Sequence, residues 1–270
     1  MKINEMKVGK FIFHSKHSAA LLFLMHFCIA AAAQPAFRYS YGAIVRGDTT
    51  SPRMAIVFTG HEFAGGGSYI ASTLKKNALK ASFFFTGDFY RNPDFEKLIG
   101  QLRQDGHYLG AHSDAHLLYC DWNRRDSLLV TQKQFVNDLT ANYTAMFPFS
   151  IPPADEALYF LPPYEWYNDT IAAWTRQEGI RLINFSPGTR SAADYTWPQL
   201  PNYRSSRAIL QSIRRFEHSA PAGLNGFILL LHIGTDPRRT DKFYRKLPAL
   251  LRFLKVRGYL PVRVDELLIR

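Results

Sequence analysis

Cysteine is almost absent from this sequence, which limits how the fold can be stabilised. Only Cys28 and Cys120 occur in 270 residues. Cys28 lies in an apolar N-terminal stretch that we expect to be removed, so Cys120 has no partner for an internal disulfide. A buried apolar core must therefore stabilise the mature protein, and an apolar content of 47% is enough to build one.

Long polar linkers and low-complexity runs are also lacking, which favours a single domain. Acidic residues are few, since 22 Asp and Glu accompany 33 Lys and Arg and give a formal charge of +11. The basic residues are scattered, apart from a modest cluster at residues 238–246, so the sequence predicts no nucleic-acid-binding strip. The excess charge indicates either a solvated helix face or attraction to an anionic cell-wall polymer.

The N-terminal residues have the pattern of a signal peptide. Several lysines precede an apolar run from Ala19 to Ala33, and three alanines before Gln34 provide an A-x-A cleavage site. The run is short and contains His26, so we expect no stable membrane span after cleavage. The sequence predicts an exported protein, periplasmic or secreted, with a signal peptide (1–33), an N-terminal extension (34–52) and a catalytic domain (53–270).

Short apolar runs alternate with amphipathic stretches along the mature chain. We predict seven strands, at Met54–Thr59, Lys80–Thr86, Tyr108–Ser113, Leu158–Leu161, Arg181–Phe185, Phe227–His232 and Tyr259–Val264. We predict helices between them, at Ser68–Asn77, Asn92–Gln104, Ser127–Met146, Asn168–Gln177, Ser205–His218 and Asp241–Lys255. This alternation is typical of an α/β fold with parallel strands and crossover helices, either an open doubly wound sheet or a closed barrel.

Polar, titratable residues follow the predicted strands, and in both folds reactive residues gather at the carboxyl ends of the strands. His112 and His116 follow the third strand. On a helical turn, residues four apart share a face, so both imidazoles can reach one divalent cation. His232 ends the sixth strand. It is a candidate general acid, or else a core histidine bonded to a carbonyl.

These strand ends resemble the motifs of the polysaccharide deacetylase family, the NodB-homology family of carbohydrate esterases. The similar segments are KASFFFTG (80–87), GHYLGAHS (106–113), FLPPY (160–164), LLH (230–232) and KVRGYLPVRVDELL (255–268). The resemblance implies a distorted (β/α)7 barrel of parallel strands. It also implies a divalent metal, usually zinc, held by His112 and His116, with His232 as general acid. The implied activity is removal of acetyl groups from N- or O-acetylated polysaccharide.

The first family motif, T-F-D-D, is altered in this sequence. In the family its first Asp is the catalytic base and its second is a metal ligand, but Thr59 and Gly60 occupy those positions here. We predict that Glu62 replaces the metal ligand and that His61 replaces the base, with Gly60 leaving room for Glu62 to fold back. Leu161 stands where the family has an Arg that steadies the catalytic Asp.

The remaining predicted site residues support the metal, His232 or the sugar. Asp114 is expected to orient the metal-binding histidines and Asp194 to tune His232. The residues expected to contact substrate, by stacking on sugar rings or lining the groove, are Pro163, Tyr164, Trp166 and Trp197. Trp122 is a further groove candidate, and barrel packing is the alternative role for each aromatic residue.

Two other functions remain open at this stage. The missing Asp pair is consistent with a catalytically silent sugar-binding protein on the same barrel. A glycosidase would require two carboxylates flanking the sugar linkage, and the available Glu62, Asp88, Asp114 and Glu165 have no spacing that singles out a pair. We favour the deacetylase because a pure binder has no need of His112, His116 and His232 together.

Overall fold

The structure, a computed structural model, describes residues 37–151 and 158–269. The predicted signal peptide at residues 1–33 lies outside the described residues. Within the described ranges, no helix combines the length and the apolar character needed to cross a membrane.

Seven parallel strands form the central sheet of the described residues, as the sequence predicts. A two-stranded antiparallel ribbon precedes it, made of β1 (Arg38–Ser40) and β2 (Ala43–Arg46), which the sequence analysis did not predict. The sheet strands are β3 (Arg53–Gly60), β4 (Ser82–Phe85), β5 (Tyr108–Ala111), β6 (Tyr159–Phe160), β7 (Arg181–Leu182), β8 (Ile228–His232) and β9 (Leu260–Val262).

Most helices lie near their predicted positions. They are α1 (Gly67–Lys76), α2 (Gly87–Arg91), α3 (Glu96–Gln104), α4 (Gln132–Met146), α5 (Asp169–Gln177), α6 (Ser206–Ser219), α7 (Leu247–Val256) and α8 (Val264–Leu267). The predicted helix at Ser127–Met146 begins later than expected. Thr131 and Gln134 form a capping box there, which satisfies the free N–H groups of the first turn.

The sheet curls into a distorted barrel, which confirms the predicted fold class. Its strands are ordered β7-β6-β5-β4-β3-β8, and β9 also pairs with β3. Residues of β2 connect the two edges of this order: Ile44 bridges Ile183, just after β7, and Arg46 bridges Phe227, just before β8. The predicted N-terminal extension therefore contributes to the barrel wall.

Alternate residues of β3 enter two different core layers. Ala55 and Val57 pack inside the barrel with Phe84 and Leu230. Met54, Ile56 and Phe58 pack on the opposite face, in the layer that contains the apolar sides of the helices. A parallel strand covered on both faces requires this continuous apolar run. The same alternation directs Thr59 towards the barrel interior.

His107, at the start of β5, is a buried histidine that must remain neutral. Its Nδ1 accepts the Ala81 N–H at 3.2 Å. Because a backbone N–H can only donate, this nitrogen carries no proton, and burial lowers the pKa of His107 from 6.5 to about 4.

We predict that His107 makes the protein less stable in acid. The folded state binds fewer protons than the unfolded state, so stability is complete above the ordinary pKa of 6.5 and declines as pH falls towards about 4. The free energy of unfolding lost over this pH range is at most about 3 kcal/mol. In His107→Asn the amide oxygen can still accept the Ala81 N–H without titrating, so urea unfolding from pH 7 to pH 4 should show a shallower decline. The exposed His218 supplies the control His218→Asn; equal slopes in both variants would contradict this role.

Candidate active site

A cavity of about 590 Å³ lies at the carboxyl edge of the sheet. Thr59 and Gly60 from the end of β3, His112 after β5 and His232 from the end of β8 all line it. Parallel strands present their carboxyl ends at one edge, so residues far apart in the sequence meet there. This is the edge at which the sequence predicts the reactive residues.

His112 is held firmly at the end of β5. Its N–H is shared between Asn142 Oδ1 at 2.7 Å and the Phe85 carbonyl oxygen at 3.1 Å. Its ring Nδ1 lies 2.7 Å from the Leu161 carbonyl oxygen. A carbonyl can only accept, so Nδ1 carries the proton and Nε2 keeps a free lone pair. Burial lowers the pKa of His112 to about 3, which keeps the imidazole neutral as a metal ligand requires.

The segment from His112 to His116 is an irregular loop, and the expected helical turn is wrong. Ser113 and His116 have φ values of 72° and 56°, in the left-handed region that helices do not use. Asp138 on α4 anchors the loop instead, because its Oδ1 accepts the N–H groups of Asp114 and Ala115 at 3.2 and 3.3 Å. Tertiary hydrogen bonds therefore replace the local helical ones.

Three imidazoles nevertheless lie together at the cavity. The ring centroid of His116 is 5.2 Å from that of His112 and 4.6 Å from that of His61. Burial, reinforced by the neighbouring imidazoles, lowers the pKa of His116 to about 2. His61 Nδ1 lies 3.1 Å from Thr86 Oγ1, which ties its ring to the start of α2.

The imidazole nitrogens are suitable ligands for a divalent cation, but their lone pairs do not point to a common position. Neutral imidazoles are ligands that zinc and similar metals prefer. His61 and His116 are stacked with only 9° between their planes, so their in-plane lone pairs run side by side. Accordingly, no group of three or more His, Cys, Asp or Glu side chains in residues 37–151 and 158–269 is arranged to hold a metal ion. Metal binding at these histidines would require His61 or His116 to turn.

Glu62 is not placed with the imidazoles. It lies exposed at the cavity wall, and it has no hydrogen bond or ion pair among the described residues. The predicted space for it above Gly60 is also filled, since a Cβ at Gly60 would lie 2.8 Å from Ile233 Cγ2 and 2.9 Å from Phe85 Cδ1. Thr59 faces the cavity, and its hydroxyl is buried without a partner in the described structure.

His232, which also lines the cavity, forms a close pair with Asp194. Asp194 Oδ1 accepts from His232 Nδ1 at 2.6 Å, and its Oδ2 accepts the His232 N–H at 3.0 Å. Burial alone would lower the pKa of His232, but the charge and hydrogen bond of Asp194 raise it overall. The structure thus brings together two residues whose pairing the sequence analysis predicts, with Nε2 of His232 left for a proton transfer.

Asp114, in contrast, lies away from the histidine rings. Its carboxylate binds Arg91 through contacts of 2.6 and 3.1 Å. Two side chains of α4, Asp138 and Asn142, four residues apart, bond the backbone of the histidine loop. The sequence analysis missed both, because a polar residue on a helix gives no sign of which strand end it will face.

Glu165 is a second group that sequence reasoning did not select for the site. It lines the cavity with His232, and burial raises its pKa to about 7, while its charge interacts with His232 and Asp194. Tyr164 and Glu165 have φ values of 58° and 53°, a strained conformation for two consecutive residues that are not glycine. Local strain of this kind is concentrated at functional sites.

The predicted sugar-contacting residues divide into two groups. Tyr164 and Trp197 line the cavity together with Trp122 and Tyr195. The rings of Trp122 and Tyr164 lie 5.4 Å apart, and Tyr164 also contacts His116 at 4.4 Å. Pro163 is buried at the start of a 3-10 turn, and Trp166 lines an adjacent cavity instead.

The sequence profile of the polysaccharide deacetylase family matches residues 48–183, which is half of the chain. The chain belongs to the polysaccharide deacetylase family. The match contains β3 to β7 and therefore the His112 loop, Tyr164 and Glu165. The matched region also contains Thr59 and Gly60 at the end of β3.

Two curated relatives are similar over most of this family member. Peptidoglycan-N-acetylglucosamine deacetylase PgdA of Listeria monocytogenes is 25% identical over 223 residues, which cover 81% of the chain and 39% of PgdA. The chain thus spans about two fifths of that relative's length. Peptidoglycan-N-acetylmuramic acid deacetylase PdaA of Bacillus subtilis is 23% identical over 229 residues, covering 84% of the chain and 76% of PdaA.

Solved structures of the family share the fold. The crystal structure of Bacillus subtilis PdaA, a family 4 carbohydrate esterase, aligns with a TM-score of 0.64 at 22% identity, covering 84% of the chain and 85% of PdaA. A family 4 pseudoenzyme from Bacillus anthracis aligns with a TM-score of 0.63 at 18% identity, covering 86% of the chain and 70% of that protein. Active and silent members therefore use one architecture.

We predict that Asn142 stabilises the strand end that carries His112. Asn142→Ala removes the acceptor of the His112 N–H and the donor to the Phe85 carbonyl oxygen, which lies 3.2 Å from Nδ2. The loss should be about 2 kcal/mol of unfolding free energy, measured by urea denaturation. Asn137→Ala, on the exposed face of the same helix, is the matched control. An equal effect of the two substitutions would show that Asn142 acts only through helix propensity.

Proposed function

We propose that this protein is an exported, metal-dependent hydrolase that removes acetyl groups from N- or O-acetylated polysaccharide. The observation that carries the proposal is the placement of three imidazoles and the His232–Asp194 pair around one cavity lined with aromatic side chains. A cluster of imidazoles able to bind a metal and a separate proton donor at the same cavity suit the hydrolysis of an acyl group.

The contacts favour His61, His112 and His116 as the metal ligands. His61 takes the role that the sequence analysis gave to Glu62, because its ring already lies on that of His116 while Glu62 points to solvent. The hydrogen bond to Leu161 fixes Nε2 of His112 towards the cavity. When bound, a divalent cation, zinc by preference, supplies Lewis-acid polarisation of the acetyl carbonyl and lowers the pKa of water at the site.

Glu165 is then the group best suited to accept a proton from the attacking water. The sequence analysis assigned that role to His61, which the revised ligand set uses for the metal. A carboxylate with a pKa of about 7 is matched to proton transfer near neutral pH. It also supplies a carboxylate that β3 lacks, since Thr59 and Gly60 stand at the two Asp positions.

The reaction needs two proton transfers and one bond cleavage. Water adds to the acetyl carbonyl carbon and gives a proton to Glu165. The C–N or C–O bond to the sugar then breaks, and His232 donates its Nε2 proton to the leaving nitrogen or oxygen. Tyr164 is the second residue of the 3-10 turn Pro163–Glu165. Backbone N–H groups at the start of such a turn lack internal acceptors, so that of Tyr164 can hold the oxyanion. The products are acetate and the free amine or hydroxyl.

The polymer is expected to come from the cell wall. The relatives named above act, by their names, on the N-acetylglucosamine or N-acetylmuramic acid of peptidoglycan. Trp122, Tyr164, Tyr195 and Trp197 offer ring faces on which sugars can stack. The predicted signal peptide and the basic composition are consistent with action on an anionic wall outside the cytoplasm.

We predict that acetate release and metal content depend on the three imidazoles. Native protein should bind one divalent cation per chain and release acetate from at least one glycan in a panel of acetylated chito-oligomers, peptidoglycan and xylan. His112→Ala and His61→Ala should each lower metal affinity by more than about 100-fold, because each removes a direct ligand. Glu62→Ala should retain the metal. Metal content is measured by elemental analysis after dialysis, alongside acetate release.

His218→Ala, on the exposed end of α6, is the control for loss of a histidine. Full metal binding by His61→Ala together with its loss in Glu62→Ala would restore the ligand assignment made from the sequence. If native protein binds these glycans but releases no acetate, whereas Thr59→Asp does release it, the protein is a silent binder.

We predict a bell-shaped pH dependence of kcat. Activity should rise as Glu165 ionises around pH 7 and fall as His232, whose pKa Asp194 raises above 6.5, loses its proton. Glu165→Gln should lower kcat by about 10²- to 10⁴-fold while leaving the metal bound. Asp194→Asn removes the charge that stabilises protonated His232, so the alkaline limb should move to lower pH. An alkaline limb that stays in place in Asp194→Asn would contradict the assignment of His232 as proton donor.

A further inference from the structure

A second cavity of about 500 Å³ adjoins the one that contains the histidines. Tyr164, Glu165 and Tyr195 line both cavities and form their shared wall. A chain of sugars bound with one acetyl group at the histidines would therefore present an adjacent sugar to the second cavity. None of the predicted roles of the first cavity uses this space.

The second cavity is basic. Three guanidinium groups line it, those of Arg125, Arg190 and Arg204, and Glu165 at the shared wall is the acidic side chain among its described lining residues. None of the three arginines has an ion pair with a carboxylate in the described parts of the chain. Arg204 donates instead to the carbonyl oxygen of Tyr203 at 2.7 Å.

Arg125 is held in position without its hydrogen-bonding capacity being used. Its guanidinium carbon lies 3.6 Å from the ring centroid of Trp166 and 4.1 Å from that of Tyr41. Its Nε is buried and has no hydrogen-bond partner in the described structure. Stacking occupies the two faces of a guanidinium but leaves its N–H edge free, and that planar edge matches a carboxylate or phosphate.

An unused buried N–H of a cation is costly unless a ligand satisfies it. Other arginines near the active site do have partners: Arg91 binds Asp114, and Arg238 binds Asp236. By contrast, Arg125 and Arg190, at the same cavity, have no anionic partner in the described structure and are the candidates to bind one.

We propose that this arginine cavity binds an anionic substituent, a carboxylate or a phosphate ester, on the sugar polymer whose acetyl group enters the histidine cavity. The site would select charged wall polymers over neutral acetylated ones. The location of the acetyl group rests on the proposed function, whereas the affinity of the cavity for an anion does not.

The test compares binding of three soluble oligosaccharides of equal length by calorimetry. One is a neutral acetylated chito-oligosaccharide, one carries an O-lactyl carboxylate on alternate sugars, and one carries a phosphate ester on one sugar. Native protein should bind at least one charged oligosaccharide about tenfold more tightly than the neutral one, as expected for charge-assisted hydrogen bonds. The two charged ligands distinguish a carboxylate site from a phosphate site.

Arg190→Gln and Arg125→Gln should each bring the ratio of affinities for charged and neutral oligosaccharides close to one. Arg190 is exposed, so its variant should fold even if loss of the stacked Arg125 disturbs the core. Arg176→Gln, an exposed arginine on α5 outside both cavities, is the matched control and should keep the preference. Equal affinity of native protein for charged and neutral oligosaccharides, or no binding of any of them, overturns the proposal. Binding is measured without turnover, so failure to release acetate would contradict the proposed function alone.

Discussion

The hydrogen bond between His112 Nδ1 and the Leu161 carbonyl oxygen is the interaction on which the site depends most. It connects the end of β5 to the end of β6, and it assigns the proton to Nδ1 so that Nε2 keeps its lone pair for the cavity. Burial keeps this ring neutral, and Asn142 and Asp138 on α4 hold the adjoining loop. The position of His116, and through it the stack with His61, follows from this anchoring.

The proposed chemistry of the site relies on a carboxylate from a loop rather than on one from β3. Thr59 and Gly60 bring no carboxylate to the end of β3, and the space beside Gly60 is filled by Ile233 and Phe85. Besides Asp194, the carboxylate whose charge acts on His232 is that of Glu165, in a turn with positive φ. Burial raises the pKa of this carboxyl to about 7, which suits proton transfer near neutral pH.

Much of the fold could be predicted because its signals are local and strong. The apolar run at Met54–Thr59 and the phenylalanines of β4 define strands buried on both faces, and alternating helices require parallel pairing. The short strands were harder to predict from the sequence. β6 and β7 are only two residues long, and β1 and β2 carry no long apolar run. Their place depends on bridges such as that of Ile44 with Ile183, whose partners are distant in sequence.

By itself the sequence determined the family, the parallel barrel and the histidines at its rim, because motif spacing and strand periodicity are properties of neighbouring residues. It also shows that Thr59 and Gly60, at the end of the first strand of the sheet, carry no carboxylate. Tertiary structure alone decided how those residues meet. The loop after β5 adopts two left-handed residues because Asp138 bonds its backbone, His61 rather than Glu62 turns to the imidazoles, and Glu165 and Arg125 face cavities formed by several elements. Such positions depend on contacts between distant segments, which local spacing does not encode.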